Sequence, residues 1–226
     1  MESKTTRSGL LGGSGQIRLN KGLPRTDLAS RYFLDPELNA EEARELESFL
    51  DFEHVEVEIG CGRGHFIEDM ARNHPERRFV VLEARTKYCK LAVRRLEHGA
   101  LTNVRVVQGD ARHTMPLLIK ESSLRAIYLM FPDPWWKKRH HKKRVATTDF
   151  FEMLGRHLAP DGVLAFRSDV REYVALVDKT IAPVGSLVLQ ENFPSGVSKT
   201  HRQKKCIEKD LPFWERSYRK GEGAND

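Results

Sequence analysis

Two stretches of this sequence hold side chains whose types and spacing could do chemistry. Residues 131–144 read FPDPWWKKRHHKKR: one carboxylate, Asp133, between two prolines, then Trp135, Trp136 and a run of six Lys or Arg and two His from Lys137 to Arg144. Residues 58–64 read EIGCGRG, with Glu58 ahead of Gly60, Gly62 and Gly64. Pro132 and Pro134 fix their own φ and restrict the residues before them, which gives a stiff turn, as a positioned carboxylate needs. The glycines allow a tight turn and leave room for a ligand against the backbone. Cations bind phosphates and tryptophans stack on exposed bases, so Lys137, Arg139, His140, Lys142 and Arg144 read as a nucleic-acid footprint beside Asp133. Lys199, Arg202, Lys204 and Lys205 extend it. The plain alternatives are an exposed turn aspartate, a solvated charge run or a localisation signal.

These residues need a scaffold, and the chain offers a regular one. Apolar runs at 55–60 (VEVEIG), 77–84 (RRFVVLEA), 103–110 (NVRVVQGD), 124–131 (LRAIYLMF) and 162–169 (GVLAFRSD) predict five strands. Helical patterns separate them: one opening near Gly64, one over 86–98 with Tyr88, Leu91, Ala92 and Leu96 in a stripe, a short one near 114–121, and one over 148–158. Alternating strands and helices predict an α/β fold: a mostly parallel, twisted Rossmann-like sheet with helices on both faces. AIYLMF, without polar alternation, predicts its central strand. A further helix is expected over 170–182 and two antiparallel edge strands over 187–193 and 212–219. Asn39 with Glu42 predicts a capped first helix with Ala43, Leu46 and Leu50 on one face. Residues 1–38, rich in Gly and Ser near their start, read as a basic, mobile arm, 39–220 as one domain, and 221–226 as a tail.

Composition narrows the class. The 226 residues hold 38 Lys and Arg against 32 Asp and Glu, a net charge of +6, with 39% hydrophobic residues. That suits one folded domain with a charged surface. No apolar run is long enough to span a bilayer and no secretion signal is evident, so a cytoplasmic protein is expected. Cys61, Cys89 and Cys206 form no C-x-x-C pair, so neither a disulfide framework nor a metal site is expected, although Cys61 and His65 stand four apart.

Glu83 ends the second run at the separation from the glycine turn where an acid accepts both hydroxyls of a ribose, and Asp110 ends the third. Ligands of open parallel sheets bind beyond the strands' carboxyl ends, so these acids and Glu58 face one crevice; each alone could equally be a solvated loop residue or a helix cap. His65 occupies the place of the third glycine in G-x-G-x-x-G, which argues against a dinucleotide. The pattern resembles the class I S-adenosylmethionine-dependent methyltransferases, whose cofactor carries a sulfonium and an ammonium and suits a carboxylate-lined crevice. EIGCGRG, the strand-ending Glu83, GDA at 109–111 and PDPW with its basic continuation narrow the likeness to the bacterial tRNA (guanine-N7-)-methyltransferase family, over roughly residues 55–220. That resemblance implies methyl transfer from S-adenosyl-L-methionine, leaving S-adenosyl-L-homocysteine, to a variable-loop guanosine of tRNA (position 46 in tRNA numbering). It implies no metal and no obligate protein partner. It assigns Glu58, Gly60, Gly62, Gly64, Glu83, Asp110 and Asp133 to the cofactor, Asp133 also to catalysis, and Lys137 and Asp169 to the substrate. The family's T-x-x-E stretch corresponds loosely to Thr200 and Gln203, with glutamine in place of glutamate. Two other readings stay open: a methyltransferase acting on another RNA or an amino group, and an RNA-binding protein with a decayed site.

Overall fold

In a computed structural model, residues 33–34, 40–135 and 145–221 are described. Each apolar run forms a strand: β1 is Phe33–Leu34, β2 Val55–Ile59, β3 Arg78–Glu83, β4 Val104–Gln108, β5 Leu124–Met130, β6 Leu158–Ser168, β7 Leu187–Gln190 and β8 Trp214–Lys220. They make one sheet in the order β1-β4-β3-β2-β5-β6-β8-β7. Pairings from β1 through β6 are parallel, and β8 runs antiparallel to both β6 and β7.

The helices are α1 (Ala40–Leu50), α2 (His65–Asn73), α3 (Thr86–His98), α4 (Ala111–Leu118), α5 (Thr148–His157), α6 (Arg171–Ile181) and α7 (His201–Glu208). Strand alternation divides the apolar side chains between two cores. Val80 and Leu82 of β3 join Leu46, Met115, Phe150, Phe151 and Val177 on one face, beneath α1, α4, α5 and α6. Phe79 and Val81 join Phe66, Met70, Ala92 and Leu96 on the other, beneath α2 and α3. β5 is buried at every residue but Arg125, as a central strand covered on both faces must be.

Four expectations are corrected. Residues 33–34, assigned to the arm, pair with Val106 and Val107 of β4 as an edge strand. α4 begins at Ala111 rather than 114, because the Asp110 side chain accepts the Arg112 N–H and caps it. α3 keeps its bounds but buries Cys89, Ala92, Val93 and Leu96, leaving Tyr88 and Leu91 only partly buried. α7 was not anticipated; Thr200 caps it by accepting the Gln203 N–H at 3.0 Å. The Asn39 cap lies outside the described residues.

Candidate active site

The parallel strands end on one edge, and the acids follow in spatial order across it: Asp110 after β4, Glu83 ending β3, Glu58 in β2, Asp133 after β5 and Asp169 after β6. β2 and β5 are neighbours whose connections leave in opposite directions, the switch point at which ligands of such sheets bind.

The glycine turn links β2 to α2. The Gly60 N–H donates to the Leu82 carbonyl at 2.9 Å, tying the turn to β3. Gly64 caps α2 at φ +77°, and a Cβ there would lie 2.9 Å from both Cα and Cβ of Ala92. Glycine is therefore required for α2 and α3 to close together. Gly64→Ala is expected to cost about 2–3 kcal/mol of unfolding free energy in urea titrations, through overpacking and left-handed strain. At Gly60 and Gly62, by contrast, a Cβ would meet nothing within 4 Å. Their open sides leave the backbone accessible to a ligand.

Glu58 is the most distinctive group here. Glu56 and Glu58 share a face of β2 and are each 2% exposed. Glu56 is fully engaged, by Tyr128 Oη at 2.8 Å, His54 Nε2 at 2.8 Å and Arg77 Nη1 at 3.1 Å. Glu58 has a buried oxygen, Oε2, with no hydrogen-bond partner. Burial, with a smaller contribution from the Glu83 charge, pushes its carboxyl up to about 8. A buried carboxyl oxygen without a partner is costly and calls for an explanation. Glu83 is also raised by burial, against backbone N–H donors that include Arg85 at 2.7 Å and Gly62.

The other rim acids are met by arginines. The Arg112 N–H and Nε donate to Asp110 Oδ1 at 3.1 and 2.9 Å, and its Nη2 to Oδ2. Burial acts against it, yet these bonds and the Arg112 charge hold the Asp110 carboxyl below its usual range. Arg202 donates through Nε (2.8 Å) and Nη2 to Asp169 Oδ2. Asp133, 61% exposed, meets Arg85 Nη2 at 3.1 Å. The same guanidinium lies 5.7 Å from the Trp135 ring centroid and 5.5 Å from that of Tyr88. The backbone is strained on either side of Asp133, Phe131 having φ +52° and Trp135 φ +48°. The Phe131 N–H donates to the Arg167 carbonyl at 2.8 Å, holding the loop against β6.

The crevice is therefore not uniformly acidic, as the sequence suggested. Arginines pair with Asp110, Asp133 and Asp169, whereas Glu58 and Glu83 are the buried acids of this edge that form no salt bridge among the described residues. Arg85 and Arg112 were missed, although Glu83-Ala-Arg85 and Asp110-Ala-Arg112 repeat one acid-Ala-Arg pattern. Thr200 and Gln203 are buried, with the Thr200 hydroxyl used in the helix cap and Gln203 Oε1 unpartnered. Lys137, Arg139, His140, Lys142 and Arg144 lie outside the described residues. Cys61 and Cys89 are buried free thiols pushed up by burial and nearby acids, which removes them as nucleophiles. Cys61 lies in the glycine turn before α2, so it does not share a helix face with His65. Among the described residues no helix is long and apolar enough to cross a membrane.

A parallel sheet with an antiparallel edge, a glycine turn after its central strand and acids on the next two strand ends define a class I methyltransferase fold. Residues 53–214 match a family model described as a putative methyltransferase. The tRNA (guanine-N(7)-)-methyltransferase of Syntrophotalea carbinolica is 38% identical over 151 residues, which span 67% of this chain and 65% of that protein. The corresponding protein of Myxococcus xanthus is 38% identical over 156 residues, 66% of this chain and 76% of its own length. A 30S ribosomal A1408 methyltransferase from an uncultured bacterium superimposes with a TM-score of 0.55 at 17% identity, covering 79% of this chain and 94% of that one. The chain belongs to the tRNA (guanine-N7-)-methyltransferase family.

The family and fold go with S-adenosylmethionine, and the residues present fit it. The unpartnered Glu58 oxygen beside Glu83 suits a cation, the open sides of Gly60 and Gly62 leave room along the turn, and Glu83 ends β3 with carboxylate oxygens of the kind that vicinal hydroxyls donate to.

Proposed function

We propose that this chain methylates N7 of a guanosine in tRNA, with S-adenosylmethionine as donor. The reading is carried by the unpartnered, buried Glu58 oxygen beside Glu83, one strand from the exposed Asp133. When bound, S-adenosylmethionine supplies an electrophilic methyl on a sulfonium. Glu58 and Glu83 hold the donor's charge and ribose, and the glycine turn lets it lie against the backbone.

Guanine N7 has a free lone pair and no proton, so the attacking atom needs no base and alignment dominates. As N7 is alkylated, positive charge spreads into the ring and N1–H and the exocyclic amino group become stronger donors. Asp133 faces those donors, helped by Asp169, and its interaction strengthens as the charge develops. Trp135 offers a stacking face, and the basic run from Lys137 to Arg144 holds phosphates. Thr200 and Gln203 support the substrate side through the start of α7.

Arg85 is a positioning residue, its N–H on Glu83 and its guanidinium on Asp133. An ion pair this exposed is worth at most about 1 kcal/mol to the fold. Arg85→Ala is therefore expected to leave the melting temperature within a few degrees while lowering kcat about tenfold with both substrates saturating. An unchanged kcat would remove Arg85 from this role.

Incubating the protein with labelled donor and unmodified tRNA, followed by nucleoside analysis, tests the reading. Label should appear in 7-methylguanosine; label in another nucleoside, or none, overturns it.

A further inference from the structure

Most arginines of the described surface are paired with carboxylates, as at Arg72, Arg95, Arg105, Arg156 and Arg216. α3 is different. Lys87, Lys90 and Arg94 repeat at helical spacing along its outer face, and none of them joins an ion pair among the described residues. Lys87 and Arg94 are exposed and Lys90 partly so. With Thr86 and Leu91 they wall an open hollow.

This arrangement does not serve the helix. The first turn of α3 contains no acid, while Lys87 places a cation against the positive end of the helix dipole, where charge of that sign is unfavourable. Three unpaired cations on one face also repel each other. An external polyanion would relieve both costs.

The stripe begins where the active site ends. Arg85 stands at the N-terminal boundary of α3, touches Asp133 and lies over Tyr88 in the helix's first turn. From Lys87 to Arg94 the helix rises about 10 Å, enough to meet successive phosphates. We infer that the outer face of α3 is a phosphate track, carrying the backbone of the substrate RNA away from Asp133. This rests on the proposed tRNA activity.

The test compares wild type with Lys87→Ala/Lys90→Ala/Arg94→Ala, measuring tRNA affinity from about 0.05 to 0.2 M salt and steady-state kinetics. Alanine suits a helix, so the variant should fold, and an unchanged melting curve and donor affinity verify this. Each lost phosphate contact lowers the salt slope by about 0.7–0.9, so the slope should fall by about 2. KM for tRNA should rise at least tenfold with kcat little changed. Neutralising Lys137, Lys142 and Arg144 in addition should lower the slope further, as expected when each set of cations meets its own phosphates. A variant with the wild-type slope and KM overturns the track while leaving the methyltransferase reading intact. A wild-type protein that neither binds nor methylates tRNA overturns that reading itself.

Discussion

Asp133→Ala and Asp133→Asn should each lower the turnover of tRNA about 10²–10³-fold, with donor affinity reduced far less. The size follows from what the carboxylate is asked to do: it meets charge that appears on guanine only as N7 is alkylated, and such preorganised contacts are worth about 3–4 kcal/mol. The asparagine variant keeps the shape and a hydrogen-bonding oxygen but loses the charge, so it separates electrostatic stabilisation from simple contact. Both variants also release Arg85, whose exposed ion pair contributes little to the fold. The effect should therefore appear in kcat rather than in the melting temperature. Near-normal turnover of both variants at saturating tRNA would show that the carboxylate is not catalytic.

Donor affinity should rise about tenfold per pH unit from near neutrality up to about pH 8 and then level off, and Glu58→Gln should abolish that dependence. Burial, then the Glu83 charge, holds the Glu58 carboxyl at about 8, so near pH 7 it is mostly protonated, and a sulfonium or ammonium beside it favours the ionised form. Binding near pH 7 must then release close to one proton, which calorimetry in buffers of different ionisation heat reads directly.

The same group sets a stability trend. A carboxyl whose folded pKa lies above its unfolded value of 4.5 gives stability that is fully present below that value and is lost as pH rises through about 8. In that window the loss approaches about 1.4 kcal/mol per pH unit. Glu58→Gln, which cannot ionise, should therefore melt higher than wild type at pH 8 and bind the donor more weakly. A variant that melts lower at pH 8, or keeps the wild-type pH dependence of binding, would contradict this assignment.

The strands and their order of acids were legible in the sequence because parallel strands covered on both faces must be short continuous apolar runs, and their carboxyl ends must share an edge. α7 was not legible: of HRQKKCIE only Gln203 and Cys206 are buried, which leaves no apolar stripe. β1 is two residues long and is defined by its pairing with β4. Asp110 marks a strand end and caps the next helix as well; with the cap weighed only as an alternative to the crevice, α4 was expected to start near 114 rather than at Ala111. In the site, acid positions followed from topology, whereas their partners needed the fold. Arg85 and Asp133 are 48 residues apart, and Arg202 and Asp169 are 33. The charge state of Glu58 was hidden for a related reason. VEVEI suggests acids facing water on alternate positions, yet all five residues of β2 are buried.

Substrate chemistry can be tested at a single atom. Two tRNA transcripts, identical except that the target guanosine is replaced in one by 7-deazaguanosine, differ by a C–H in place of the N7 lone pair and keep the same pairing edge. Guanosine tRNA should accept labelled methyl from S-adenosylmethionine to about one group per molecule, and the 7-deaza transcript none at that position. Equal labelling of the two would place the methyl elsewhere and contradict N7 as the acceptor.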